Sequence, residues 1–376
     1  MTDALRRTGL TTAARFAVAE IAGAAGAWCP ALAPGGDRVA YVTDRSGLPR
    51  LEVATLDQQT PPAVLSGPGE EVVSVAWSPD GRWLAYLVSP GGSICAELWA
   101  VRADGSDRHL VAGHDPRATV FAGGWTAPGH YVCSIAPGDG PDADVVLVDV
   151  ASGAQRTLAT GGFLSVTAVS ADERTVLARR GPRGHRHVVL VDVGTGVQRR
   201  AIPLGAPGGA ASEDGRFAPD GSAVYLRAAL PGPPGSDRTG LVRVPLSAER
   251  VPGEAEVLVA RPDADLDAYA VRADGTVLCV FTADGVTEVE VRELDGGRLV
   301  RAVPLPLPVM PGWSLAADGR HLLAELTGPL APRSLWWVPL SDDGPAAAPL
   351  PSGPHRPAPQ LLVLSLIHIS EPTRPY

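Results

Sequence analysis

The chain has 376 residues and a formal net charge of −9, and all 32 of its basic residues are Arg. This length allows two ordinary domains or one large repeat domain. The charges are scattered without a basic cluster, which excludes an electrostatic nucleic-acid surface. The 43 Gly and 37 Pro, with few aromatic residues, favour many short strands joined by tight turns.

The N-terminal segment, residues 1–26, predicts one short amphipathic helix over 13–25. Thr11 or Thr12 can cap it and Gly26 can end it. A signal peptide is the alternative, but Arg15 and Glu20 interrupt the apolar stretch that export requires. No later run is long and apolar enough to cross a membrane. We therefore expect a cytoplasmic protein.

A turn-then-strand phrase follows this segment and recurs seven times. Its clearest copy is Ser78-Pro79-Asp80-Gly81-Arg82-Trp83-Leu84-Ala85-Tyr86, in which Pro, Asp and Gly favour a turn and the apolar residues favour a strand. The other copies begin at Ala33, Ala127, Ser170, Ala218, Ala273 and Ala317. The copies are about 44 to 54 residues apart, which is the length of one four-stranded propeller blade.

A second phrase, an alternating strand before a polar turn, follows each copy at a steady offset. Its members are Leu51-Glu52-Val53, Glu97 to Val101, Val145 to Val148, Val188 to Val191, Leu241 to Val244, Val289 to Val291 and Leu335 to Val338. Two phrases in phase over seven periods predict an all-β protein, a seven-bladed β-propeller of four-stranded antiparallel blades over residues 27–352.

Closure of the ring is also predicted from the pattern. Blade one has strand patterns near Cys29, Val39, Leu51 and Val64, and blade seven has them near Trp313, Leu322, Leu335 and Ala347. Each of these two blades is therefore expected to form from its own four consecutive strands. We expect an unlatched ring, held between blades one and seven by side-chain packing only.

The sequence contains no Gly-x-Ser-x-Gly nucleophile motif, and the nearest approach is Gly312-Trp313-Ser314-Leu315-Ala316. Ser314 falls on the predicted first strand of blade seven, so we interpret it as structural. His185 and His187 could hold a metal, but the preceding Gly181-Pro182-Arg183-Gly184 indicates a solvated hairpin tip without a third ligand. His114-Asp115 lies in an interblade loop, and Gly208-Gly209 lacks the Lys of a phosphate loop. No catalytic residue, metal or cofactor is predicted.

Glu70 and Glu71 are the candidate substrate-binding residues, because paired carboxylates can hold a peptide's ammonium group. The alternative is a charged surface turn after Gly67-Pro68-Gly69. The four cysteines, Cys29, Cys95, Cys133 and Cys279, are far apart and beside apolar runs, which predicts reduced, buried thiols.

The Ser78 to Tyr86 phrase resembles the repeat of TolB-like propellers and of the N-terminal propellers of the prolyl oligopeptidase and acylaminoacyl peptidase group. Residues 41–51 are similar to the first blade of those peptidases, and residues 332–336 are similar to the segment before their hydrolase domain. The resemblance covers roughly residues 13–356. It implies a regulatory, substrate-filtering propeller of a serine peptidase that acts on short peptides. In that family Ser, Asp and His of the catalytic triad belong to an α/β-hydrolase domain, which this chain lacks.

Residues 353–363 are then expected to begin the linker to that domain. Residues 364–376 differ from the rest: two Ile fall at 367 and 369, whereas residues 1–363 hold four. This peptide resembles the translation of a transposase-type sequencing adapter, and we interpret it as a library artefact.

Two other functions are also compatible with the sequence. One is a stand-alone TolB-like module for protein interaction. The other is a small-molecule enzyme in the central channel, which would need several Asp, Glu or His residues on the inner strands. Those strands are expected to carry mostly Ala, Val, Ser and Trp. The cleavage specificity and the oligomeric state are not indicated by the sequence.

Overall fold

The computed structural model describes residues 25–350 except 58–59, 182–184, 204–210, 230–237, 330 and 342–345. Seven four-stranded antiparallel sheets, each built from four consecutive strands, confirm the predicted seven-bladed propeller. Apart from Ala25, the predicted N-terminal helix lies outside the described residues, as do residues 353–376. None of the helices in the described ranges has the length and hydropathy that a membrane crossing needs.

The strands run from Ala27 to Pro349, with one 3₁₀ turn at Pro90–Gly92. Blades one to four comprise β1 Ala27–Leu32, β2 Arg38–Thr43, β3 Arg50–Thr55, β4 Ala63–Val64; β5 Val72–Trp77, β6 Trp83–Val88, β7 Glu97–Arg102, β8 His109–Ala112; β9 Thr119–Ala127, β10 His130–Ala136, β11 Asp144–Asp149, β12 Gln155–Ala159; β13 Leu164–Val169, β14 Thr175–Arg180, β15 His187–Asp192 and β16 Gln198–Arg200. Blades five to seven comprise β17 Ser212–Phe217, β18 Ala223–Ala229, β19 Thr239–Pro245, β20 Glu256–Val259; β21 Asp265–Val271, β22 Thr276–Ala283, β23 Val286–Glu293, β24 Leu299–Val303; β25 Val309–Leu315, β26 His321–Gly328, β27 Ala331–Pro339 and β28 Ala348–Pro349.

The turn phrase closes the hairpin between the first two strands of a blade, as predicted. In blade two the buried Ser78 hydroxyl donates to Asp80 Oδ1 at 2.6 Å and accepts from the backbone N–H of Trp83 at 2.9 Å. Gly81 takes the left-handed backbone, at φ 68°, that this turn requires. The same contacts recur in blade four at Ser170, Asp172 and Thr175. In these two blades a local hydrogen-bond network therefore fixes where the second strand begins.

Replacing Ser78 with Ala is expected to lower the free energy of unfolding by about 1–3 kcal/mol, because the buried N–H of Trp83 loses its acceptor. Urea denaturation of the purified chain measures the change. The exposed Ser152, whose hydroxyl donates to Asp149 in an outer turn, supplies the control Ser152→Ala, for which less than about 0.5 kcal/mol is expected. Equal losses in the two variants would contradict this role of the turn phrase.

The hydrophobic core is divided into seven clusters, and each cluster lies between two neighbouring blades. Both faces of a blade are therefore covered. This explains why the central strands are continuous apolar runs, such as the fully buried β6, and not alternating ones.

Every innermost strand carries a β-bulge where it pairs with the second strand of its blade. The residues of the innermost strands that lack a direct partner at these bulges are Cys29-Pro30, Val73, Gly123, Thr126, Thr167, Asp214-Gly215, Asp267 and Met310-Pro311. A bulge bends its strand and releases one backbone position from the ladder. Several of the released positions contact the next blade, as Cys29 Sγ does when it donates to the Val73 carbonyl at 3.4 Å.

Blades one and seven meet at a seam across which no described strand is exchanged, which confirms the unlatched ring. Tyr41 and Leu335 belong to the apolar cluster that fills the seam. The expectation of side-chain packing only was wrong, because backbone groups of β1 also cross it. The N–H of Cys29 donates to Glu325 Oε2, and that of Leu32 donates to Ser314 Oγ, both at 3.0 Å.

Candidate functional site

Ser314 lies on β25, the first strand of blade seven, as predicted. Its hydroxyl accepts the seam hydrogen bond from Leu32, so its observed contact is a structural one.

The two histidines of the predicted hairpin tip do not gather further ligands in the described part of the chain. His187 begins β15, where burial, with Arg200 close by, holds the pKa of His187 below its usual value. Among the described residues, no three His, Cys, Asp or Glu side chains are grouped as a metal site would require. His114 is exposed in the loop before β9.

The two carboxylates of the candidate pair, Glu70 and Glu71, differ in their contacts. Glu70 Oε2 accepts from the backbone N–H of Gly67 at 2.6 Å and from the Tyr86 hydroxyl at 3.2 Å, and Oε1 pairs with Arg108. The charge of Glu70 is therefore already balanced by Arg108 of blade two. Glu71 is half-buried, and its carboxylate has no hydrogen bond or ion pair within the described residues.

All four cysteines are free, and two of them are buried. Burial raises the pKa of Cys133 and Cys279 to about 12, as expected for inert thiols. Cys29 and Cys95 are only half-buried, contrary to the prediction. Burial and the neighbouring Glu325 raise the pKa of Cys29 to about 11.

The inner strands of blades five and six carry charges that the sequence pattern does not indicate. Arg227 on β18 lies 3.2 Å from Glu213 and 3.0 Å from Asp214, both on β17, and 3.9 Å from Asp267 on β21. Arg179 adds a second cation, 3.2 Å from Glu213. The expectation of mostly Ala, Val, Ser and Trp on the inner strands was wrong for these two blades. The ionic network joins blades four, five and six.

Next to this network, a cavity of about 570 Å³ opens at the end of the ring where the turn phrases of blades four and five lie. Its walls are the inner strands β9, β13 and β17 and the turns that follow β13 and β17. The lining combines the aromatic rings of Trp125 and Phe217 with the guanidinium groups of Arg216 and Arg250. Gly124 leaves room on the blade-three side, because a Cβ built there would meet no atom within 4 Å.

Two carboxylates also line the cavity, but both serve the turns. Asp172 Oδ1 accepts from the Ser170 hydroxyl at 2.5 Å, and this bond, with the N–H of Arg174, holds the pKa of Asp172 below its usual value. The N–H and the hydroxyl of Ser222 lower the pKa of Asp220 in the same way. Both groups remain ionised at neutral pH.

No family profile and no curated protein sequence matches this chain. Solved structures do share its fold. Prolyl oligopeptidase B from Galerina marginata matches with a TM-score of 0.63 and 14% identity over 87% of this chain and 50% of its own. An oligogalacturonate lyase in complex with manganese matches with a TM-score of 0.63 and 14% identity over 83% of this chain and 88% of its own. A prolyl endopeptidase matches with a TM-score of 0.59 and 20% identity over 83% of this chain and 46% of its own.

At these identities the comparisons show the propeller fold alone. The chain spans about half the length of the two prolyl peptidases and most of the length of the lyase. It is therefore a seven-bladed propeller of the kind found in both prolyl oligopeptidases and oligogalacturonate lyases. Fold does not decide between such functions.

Proposed function

We propose that the chain is the substrate-gating propeller of a serine peptidase similar to the prolyl oligopeptidases. Hydrolysis of short peptides then belongs to an α/β-hydrolase domain outside this chain. The ring covers the active site of that domain and admits short or unfolded peptides only. This proposal explains why a channel-forming repeat is combined with the peptidase-like phrases in blades one and seven.

One observation carries the proposal: the two peptidase-like segments, far apart in sequence, meet at the start of β1, the first described strand. From residues 41–51, Asp44 Oδ1 accepts from the N–H of Gly26 at 2.7 Å, and the Thr43 hydroxyl donates to the Gly26 carbonyl at 2.7 Å. From residues 332–336, the guanidinium carbon of Arg333 lies 5.4 Å from the centroid of the Trp28 ring. Both segments thus hold residues 26–28 at the seam, as a junction to a second domain would require.

The test is an independent reading of the gene beyond the codon for Leu362. We expect alternating strands and helices that contain Gly-x-Ser-x-Gly, then Asp, then His. The protein expressed from that gene should cleave short peptides and leave folded proteins intact. A stop codon within a few residues of Pro359 would overturn the proposal.

The 376-residue chain itself is expected to remain unlabelled by a fluorophosphonate probe, because activation of a serine needs an adjacent base. In-gel fluorescence after incubation measures the labelling, and a serine peptidase treated in parallel shows that the probe is active. Stoichiometric labelling that disappears in a Ser314→Ala variant would place a nucleophile in the propeller and contradict the assignment of catalysis elsewhere.

A further inference from the structure

We propose that the cavity between blades three, four and five binds the terminal carboxylate of a short peptide, with Arg216 as the side chain that recognises the charge. This inference deepens the proposed function and rests on it. The ring would then select peptides by their free C-terminus as well as by their size.

Arg216 is held in a position suited to this task. It lies on the innermost strand β17 and is exposed toward the cavity that it lines. Its Nη1 donates to the carbonyls of Thr167 at 2.6 Å and Gly215 at 3.0 Å, both released by the bulges of their strands. These two bonds fix one corner of the guanidinium group to the walls of blades four and five.

The rest of the guanidinium group is available to a ligand. Within the described chain, Nε and Nη2 of Arg216 make no hydrogen bond, and no carboxylate forms an ion pair with this residue. The neighbouring Arg227 is fully engaged by carboxylates. An edge formed by Nε and Nη is the planar fork that binds a carboxylate through two parallel hydrogen bonds.

The other charged groups that line the cavity have partners of their own and do not balance the charge of Arg216. Arg250 Nη2 lies 3.7 Å from Asp172 Oδ2, and its Nη1 donates to the Gly221 carbonyl at 2.8 Å. Asp220 is bound by its own turn through Ser222. Arg216 is thus the cation of the cavity that no described acid balances.

The volume and the apolar lining residues of the cavity match the backbone and small side chains of a short peptide. The volume of about 570 Å³ falls within the usual range for small-ligand sites. Trp125 and Phe217 line the cavity, and the guanidinium carbon of Arg250 lies 5.8 Å from the centroid of the Phe217 ring. The indole N–H of Trp125 already donates to the Ala76 carbonyl at 3.3 Å. Apolar rings beside one cationic fork favour a short peptide with small apolar side chains and a free carboxylate over a bare anion.

The experiment is isothermal titration calorimetry of the 376-residue chain with acetyl-tetra-alanine, compared with its C-terminal amide and with glucuronate. The acid is expected to bind at least about tenfold more tightly than the amide, since the charge-assisted pair to Arg216 is lost. Glucuronate, which carries a carboxylate without a peptide, should also bind at least about tenfold more weakly. Equal affinity for acid and amide would overturn the role of Arg216, and equal affinity for glucuronate would overturn the assignment to peptides.

Two variants locate the site. Arg216→Gln should abolish the preference for the acid over the amide. Gly124→Leu should weaken both peptides by filling the space beside blade three, where a Cβ would meet no atom within 4 Å. The control Arg199→Gln removes the same charge from an exposed position on the outer strand β16 and should change neither affinity. If Arg216→Gln keeps the preference, or if Gly124→Leu binds normally, the peptide lies elsewhere and the proposal fails.

Because the titration uses the propeller alone, its result is separate from the gene test. Absence of peptide binding, with a hydrolase domain found downstream, would reject the cavity site and keep the gating function. Selective binding of the acid without any downstream hydrolase would keep the carboxylate site and reject the peptidase.

Discussion

Replacing Glu325 with Ala is expected to lower the free energy of unfolding by about 2–4 kcal/mol, because this change removes a buried hydrogen-bond acceptor and ion-pair partner at the seam between blades seven and one. Glu325 is 1% exposed, and its two oxygens hold different partners. Oε2 accepts from the backbone N–H of Cys29, and Oε1 lies 2.7 Å from Arg333 Nε. The variant leaves that N–H without an acceptor and removes the partner of Arg333. Urea denaturation, followed by tryptophan fluorescence, measures the loss.

Two controls separate the seam contact from the general effect of removing a glutamate. Glu325→Gln keeps an acceptor for Cys29 and should lose less stability than Glu325→Ala. Glu256→Ala removes a surface carboxylate that lies 3.6 Å from Arg243, and less than about 1 kcal/mol is expected. If Glu325→Ala were no more harmful than Glu256→Ala, the ring would not depend on this contact.

Replacing Arg227 with Met is expected to lower the free energy of unfolding by about 2–3 kcal/mol at low salt. The side chain is 19% exposed and lies among Glu213, Asp214 and Asp267. Met keeps most of the volume but leaves these carboxylates to repel one another across blades five and six. Because salt screens repulsion between partly exposed charges, the deficit should narrow as sodium chloride is raised.

The matched control is Arg243→Met on the adjacent strand β19. Arg243 is 38% exposed and pairs with Glu256 at 3.6 Å, so its loss should cost less than about 1 kcal/mol. A deficit for Arg227→Met that does not change with salt would indicate lost packing and not carboxylate repulsion. If the two variants lost equal free energy of unfolding, the ionic network would not contribute to holding the blades together.

The blade count and the order of strands could be predicted because the signals that set them are local. Ser78, Asp80 and Gly81 close their turn through contacts within a few residues, whatever the rest of the ring does. The third strands, such as Val188 to Val191, keep a fixed distance from these turns. Both signals depend on residues adjacent in the chain, so a single sequence displays them.

The bulges and the cavity could not be predicted, because they depend on contacts between blades. Ser212-Glu213-Asp214-Gly215-Arg216-Phe217 has no apolar alternation and looks like a polar turn, yet it forms β17. Contacts from the next blade hold this strand in place. The Tyr269 hydroxyl of blade six donates to the Tyr225 carbonyl at 2.8 Å and also to the Asp214 carbonyl. One signal was available, since an innermost strand precedes every copy of the turn phrase, and Ala218 begins such a copy. The phase of the repeat could thus have placed Arg216 on an inner strand.

The unlatched seam also bears on how the chain reaches its folded state. Every strand pairing joins consecutive strands, so each blade can form from one short stretch of chain. The hydrogen bonds across the seam, in contrast, join residues that are far apart in the chain. Cys29 and Glu325 are separated by 296 residues, and Leu32 and Ser314 by 282. Contacts of such large sequence separation carry the highest loop-closure entropy and slow folding. The blades are therefore expected to assemble progressively along the chain, and joining the first to the last becomes the slow step that turns an open array into a ring.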